Sequence, residues 1–138
     1  MIVADTGAVI ALLDRNDRHH DVVRELFESR PREWILPWAI LPEVDYLAAS
    51  HLGPKVAEAF LADLAEGDFR VDWGEPVDLE RAQALGRRYR DLQLGLVDTV
   101  VMAIAERRRA TAIATLDLRH FAAVRLAIKP KLLPRDLD

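Results

Sequence analysis

There is no cysteine in this chain of 138 residues. That removes disulfide scaffolds and thiolate metal sites together. Lysine is scarce as well, confined to Lys55, Lys129 and Lys131, so chemistry that needs a lysine in its site has few places to stand. No apolar run approaches the ~20 residues of a membrane helix. The N-terminus lacks the charged segment and long apolar stretch of a secretory leader, and a cytoplasmic protein is expected. Repeats, low-complexity tracts and linkers are missing too. With a length inside the usual range for one unit, residues 1–138 are expected to form a single domain. A formal net charge of −4 argues against a nonspecific coat on nucleic acid.

What is present is an alternation of short apolar runs with longer helical periods. Ile2 to Ala4 reads as a short buried strand and Trp34 to Leu36, closed by Pro37, as a second. Phe69 to Val71, Ala112 to Ala114 and Ala127 to Ile128 follow as weaker candidates. Between them, apolar residues at three-four spacing predict helices over 7–13, 17–29, 41–52, 54–65, 76–90, 96–108 and 118–123. Pro42 and Pro54 are tolerated in first turns. Gly53-Pro54 marks a stop and a restart. Short strands separated by helices predict an α/β fold of three layers, with a mainly parallel sheet of four or five strands. Ligands of such sheets sit outside the carboxyl ends of the strands.

Four acids occupy that kind of place. Asp5 closes Met1-Ile2-Val3-Ala4, Glu43 sits in Leu41-Pro42-Glu43-Val44, Asp98 opens the helix of Val97 to Ala105, and Asp117 follows Ile113-Ala114-Thr115-Leu116. Taken singly, Asp5 and Asp117 read first as N-caps, and Glu43 and Asp98 suit the dipole of a first turn; Glu43 shares a side of its helix with Tyr46 and Leu47, which read as packing residues. Taken together without a cation they repel and raise one another's pKa values. An all-oxygen set of this kind suits Mg²⁺ or Mn²⁺. Its usual work is activating water for hydrolysis at phosphate. Thr6 and Thr115 stand beside two of the acids, where a hydroxyl can orient a carboxylate or a water or simply suit a strand end. Arg87-Arg88-Tyr89-Arg90 stands open between a polyanion contact and a solvated helix end, whereas Arg107 to Arg109 are expected to be solvated.

In order and spacing, four stretches resemble PIN-domain ribonucleases, and in particular VapC-type toxins. They are Ile2-Val3-Ala4-Asp5-Thr6-Gly7-Ala8, Leu41-Pro42-Glu43-Val44, Leu96-Val97-Asp98-Thr99-Val100-Val101-Met102-Ala103 and Ala114-Thr115-Leu116-Asp117-Leu118-Arg119-His120-Phe121. The resemblance implies Mg²⁺- or Mn²⁺-dependent endoribonuclease activity on structured RNA such as tRNA or ribosomal RNA. It implies catalytic and metal-binding roles for Asp5, Glu43, Asp98 and Asp117, with Thr6 and Thr115 in support. A homodimer and a VapB-like antitoxin partner are implied likewise. The chain departs from the pattern at Gly95, where many relatives carry a hydroxyl residue three before the third acid.

Two rivals come from other classes. A phosphatase of the haloacid-dehalogenase kind also places an Asp after its first strand, but needs a second Asp where this chain has Gly7. A catalytically silent PIN-like interaction module has no need of all four acids. Other pairings carry less. His19 and His20 are adjacent and face apart on a helix. Ser50-His51 lacks a nucleophile elbow. Trp34 and Trp38 read as core or dimer surface rather than as base-stacking platforms.

Overall fold

Strand β1 (Ile2–Ala4) is apolar at every position because nothing in it faces water: Val3 and Ala4 are completely buried. In the computed structural model, which describes residues 1–137, β1 is the middle of a five-stranded sheet of order β3-β2-β1-β4-β5, every pairing parallel. The others are β2 (Trp34–Pro37), β3 (Arg70–Asp72), β4 (Ala112–Ala114) and β5 (Lys131–Leu133). Parallel strands need crossovers, and helices supply them: α1 (Thr6–Leu13), α2 (His20–Ser29), α3 (Ile40–Leu47), α4 (Pro54–Glu66), α5 (Pro76–Arg88), α6 (Leu96–Arg107) and α7 (Leu118–Phe121).

The topology decides where a site can form. From β1 the chain winds outward through β2 to β3, then returns across the sheet to β4 on the other side of β1. The direction of winding therefore reverses between β1 and β4, and their carboxyl ends flank the crevice in which α/β sheets bind ligands. Asp5 continues the ladder there, its amide donating to the Ala114 carbonyl at 2.8 Å.

Helix α6 is the spine beside that crevice. Thr99 to Ala105 are buried without interruption, as expected of a helix covered on nearly all sides. It lies against the sheet on one flank and α5 on another. The two helices are antiparallel, since Asp78 in the first turn of α5 pairs with Arg107 at the end of α6 at 2.8 Å, and Arg81 a turn further on pairs with Glu106 at 2.6 Å. Beneath β2, Phe27 meets Trp34 edge-on and Phe69 at an angle, both with ring centroids 5.4 Å apart.

Several expectations change. The edge strand lies at Lys131–Leu133 rather than Ala127 to Ile128; Pro130 and Pro134 flank it, and an edge position tolerates them. Helix α2 starts at His20, because Asp14 and Asp17 each accept a backbone amide two residues on, holding 14–19 in turns. Helix α3 ends at Leu47 and widens into a π-turn over Ala48–Leu52, closed by the Gly53 amide on the Ala48 carbonyl. Tyr46, expected to pack, is 70% exposed. Trp34 is core, while Trp38 is half-buried.

The largest correction concerns Arg107 and Arg108, which are not solvated. Arg107 Nη2 donates to both Asp72 oxygens at 2.8 and 2.9 Å, and its Nε donates to Asp78 Oδ1 at 2.8 Å. Arg108 Nε donates to Asp72 as well. Asp78 also accepts the Glu75 amide at the start of α5. Asp72 accepts the Gly74 amide. Gly74 has φ +85°, and a Cβ there would sit 2.6 Å from Trp38 Nε1, so the turn after β3 requires glycine. The knot ties the end of α6 to the end of β3 and the start of α5.

Candidate active site

Four elements deliver the four acids to one cleft, lined by Asp5, Glu43, Asp98 and Asp117 with Thr6 and Leu116. Asp5 leaves β1 and precedes α1 in an extended conformation, yet its side chain makes no cap bond. Its Oδ2 instead accepts the Thr115 hydroxyl at 3.0 Å. The Thr115 oxygen in turn accepts the Asp117 amide at 3.0 Å, so one buried threonine fixes acids 112 positions apart relative to each other. Asp117 does cap a helix, its Oδ1 accepting the His120 amide at 3.2 Å at the start of α7. That leaves Oδ2 facing the cleft. Asp98 projects from the first turn of α6, and Glu43, exposed, from the first turn of α3.

The electrostatics are those of uncompensated charge. Burial pushes the Asp5 carboxyl up to about 6, the nearby charges of Asp98 and Asp117 adding to it against hydrogen bonds from the Thr6 amide and the Thr115 hydroxyl. Burial also raises Asp98 above the usual carboxylate range, with Asp117 adding to the shift and His120 and the Gly95 amide opposing it. Among the described residues no arginine pairs with any of the four. Perturbed carboxylates gathered in a cleft mark functional sites.

The residues present fit a hard divalent cation. The donor set is carboxylate oxygen, and a second sign is independent of charge. The Thr6 hydroxyl is buried and has no hydrogen-bond partner. A buried polar atom left unpaired is costly, and a bound ion or its water would satisfy it.

Sequence reasoning passed over His120. Its Nδ1 lies 3.0 Å from an oxygen of Asp98 and 3.0 Å from one of Asp117, and ligand atoms of the three residues all fall within 4.8 Å of one another. Its one visible signal was the three-residue offset from Asp117, which puts both on one face of a helical turn. Gly95, where the resemblance leads one to expect a hydroxyl residue, gives α6 no side-chain cap bond. The Thr99 hydroxyl bonds back to the Gly95 carbonyl at 2.9 Å.

Comparison with known proteins gives the family and the fold. Residues 2–126 match the model of the PIN domain. The chain is 31% identical over 124 residues to Ribonuclease VapC26 of Mycobacterium tuberculosis, covering 90% of this chain and 92% of that protein. Its fold is similar to the crystal structure of Mycobacterium tuberculosis VapC20, described as a Sarcin-Ricin loop cleaving toxin. That likeness has a TM-score of 0.80 at 22% identity over 94% of this chain and all of the other. FitAcB from Neisseria gonorrhoeae is similar at a TM-score of 0.67 and 18% identity, over 99% of this chain and all of that one. With its sheet order, its acidic cleft and these likenesses in view, the chain belongs to the PIN domain family and stands within it among the VapC-type ribonucleases.

Proposed function

We propose that this protein is a divalent-metal-dependent endoribonuclease, the toxin of a VapBC-type pair, with Asp5, Glu43, Asp98 and Asp117 as its catalytic, metal-holding carboxylates. The observation that carries the reading is the convergence of four acids from four elements in one cleft with no arginine against them. A divalent ion bound there, Mg²⁺ or Mn²⁺, supplies charge neutralisation, a Lewis acid and a lowered pKa for water.

The chain's own residues set the stage. Asp5, buried and held by Thr115, is the fixed corner of the site. Asp98 rides the first turn of α6, beside the buried run that begins at Thr99. Asp117 and Glu43 form the open side, where a phosphodiester enters. Thr6 offers an unpaired hydroxyl to orient a water. Helix α5 ends beside the start of α6, and there Arg87, Arg88 and Arg90 are exposed. They stand ready to meet the sugar-phosphate backbone outside the cleft. Structured RNA such as tRNA or ribosomal RNA is the substrate class this reading takes from the family. A cytoplasmic location, a homodimer, a VapB-like antitoxin as neutralising partner and one PIN-like unit over residues 1–138 complete it. Among the described residues no helix is long and apolar enough to cross a membrane.

The test is incubation of total cellular RNA with antitoxin-free protein, with Mg²⁺ or Mn²⁺, beside an EDTA control and Asp98→Asn. Discrete fragments that need the metal and vanish in the variant are expected, and mapping their ends names the target. Intact RNA from folded, metal-loaded protein would sink the reading.

A further inference from the structure

Polar atoms that fold into a protein interior without a partner are rare, and each asks for an explanation. In this cleft there are two, and the second is a nitrogen. His120 Nδ1 is buried and makes no hydrogen bond of acceptable geometry, although Asp98 Oδ2 and Asp117 Oδ2 each lie 3.0 Å away. An imidazole beside two carboxylates would normally turn its N–H onto one of them. Here the short α7 holds the ring, with the His120 amide anchored on Asp117 Oδ1 and Phe121 buried as the next residue. Nδ1 therefore stands equally far from the two oxygens, 3.0 Å from each.

That placement has a simple geometric meaning. Donors side by side on an octahedral ion with bonds of ~2.1 Å lie about 3.0 Å from each other. Nδ1 stands at that separation from both oxygens, and the three atoms are mutually close enough to share one ion. We propose that His120 is a nitrogen ligand of the metal held by Asp98 and Asp117, which makes the centre a mixed nitrogen–oxygen site. The proposal rests on the metal-dependent reading above and adds a selectivity to it. Carboxylate and water sites serve Mg²⁺ well, whereas an imidazole donor favours transition ions along the Irving–Williams order. His120 thus biases the centre away from Mg²⁺ and toward first-row transition ions, of which Mn²⁺ is the mildest and the one whose bound nitrogen can be read by resonance.

The experiment is Mn²⁺ binding followed by electron paramagnetic resonance, with Mg²⁺ affinity measured by competition. The full chain is used without RNA, prepared both unlabelled and with ¹⁵N-histidine. Nitrogen coupling to bound Mn²⁺ that changes on labelling and disappears in His120→Ala is the expected result. Mn²⁺ affinity should fall by at least about tenfold in that variant, the scale of loss seen even for groups one layer further out, while Mg²⁺ affinity changes much less. His120→Gln, which keeps a polar side chain and guards against a folding defect, should behave as His120→Ala does. Mn²⁺ bound without histidine coupling, or coupling that survives in His120→Ala, overturns the ligand assignment and leaves the carboxylate reading intact. Absence of Mn²⁺ binding from folded wild-type protein overturns both. Asp98→Asn should abolish binding, which ties the signal to this cleft.

Discussion

Two sets of buried carboxylates lie in this small protein, and they have opposite fates. Asp72 and Asp78, 5% and 2% exposed, are met by Arg107 and Arg108. Asp5, 6% exposed, faces further acids. Burial alone would raise Asp72 as it raises Asp5, but the Arg108 and Arg107 guanidiniums and the Gly74 amide outweigh it and hold Asp72 below its ordinary value. Similar surface exposure with opposite neighbours, guanidiniums for one and carboxylates for the other, separates an acid that secures the fold from an acid that waits for a ligand. Two arginines close the knot, and among the described residues none pairs with an acid of the cleft, which leaves the cleft able to take a cation.

The comparison breaks most visibly if the knot is cut. Arg107→Met leaves Asp72 and Asp78 buried with one partner fewer, and urea unfolding should show a loss of about 3 kcal/mol. That is the lower end of the usual cost, because Arg107 keeps 23% of its side chain in water. Metal affinity of the folded fraction should not change. A loss under half that size would mean that the knot relaxes into solvent.

On the other side, the cleft should betray its charge through pH. The Asp5 carboxyl is raised in the folded state, from 3.8 to about 6, so the folded state binds more protons than the unfolded between those values. Stability of the metal-free protein therefore falls as pH rises through that window and levels off above it. The whole drop is at most about 3 kcal/mol. Asp5→Asn should flatten this slope in thermal melts, and saturating Mn²⁺ should offset the drop in wild type. Asp72, lowered by its arginines, contributes the reverse slope, stability that is lost as pH falls through its depressed pKa. The two signatures are separable by comparing Asp5→Asn with Arg107→Met across the same pH range.

Smaller effects sharpen the picture. Thr115→Val removes the hydroxyl that joins Asp5 to Asp117 and should cost about 1–2 kcal/mol, together with a measurable loss of metal affinity; Thr115→Ser should restore both. Arg24→Ala, which breaks an exposed pair with Glu28, should leave the urea midpoint indistinguishable from that of wild type. A measurable shift there would put in question the distinction between surface pairs and the knot.

Much of this was legible in the chain. β1, β2 and β4 announce themselves as short apolar runs because buried parallel strands cannot alternate, and acids directly after β1 and β4 fall where such sheets place their ligands. What stayed hidden depended on long-range partners. Nothing near Arg107 foretells Asp72 and Asp78, 35 and 29 residues away, and local reasoning reads a basic helix end as solvated. β5 hid behind two prolines that only an edge position tolerates. His120 hid because its meaning lies in Asp98, which another helix contributes. Tyr46 shows the opposite failure, a local pattern that promised burial and found none.

The threonine link between Asp5 and Asp117 carries one more consequence, for the order of events during synthesis. β1 is made first and sits at the centre of the sheet, yet its partner β4 begins only at Ala112. A nascent chain that has reached α5 can pair β1 with β2 and β2 with β3 but offers no second wall for the crevice. Contacts this distant in sequence are among the slowest to form. A chain that stops short of β4 therefore lacks both Thr115 and Asp117, and with them the second wall of the cleft and the hydroxyl that fixes Asp5.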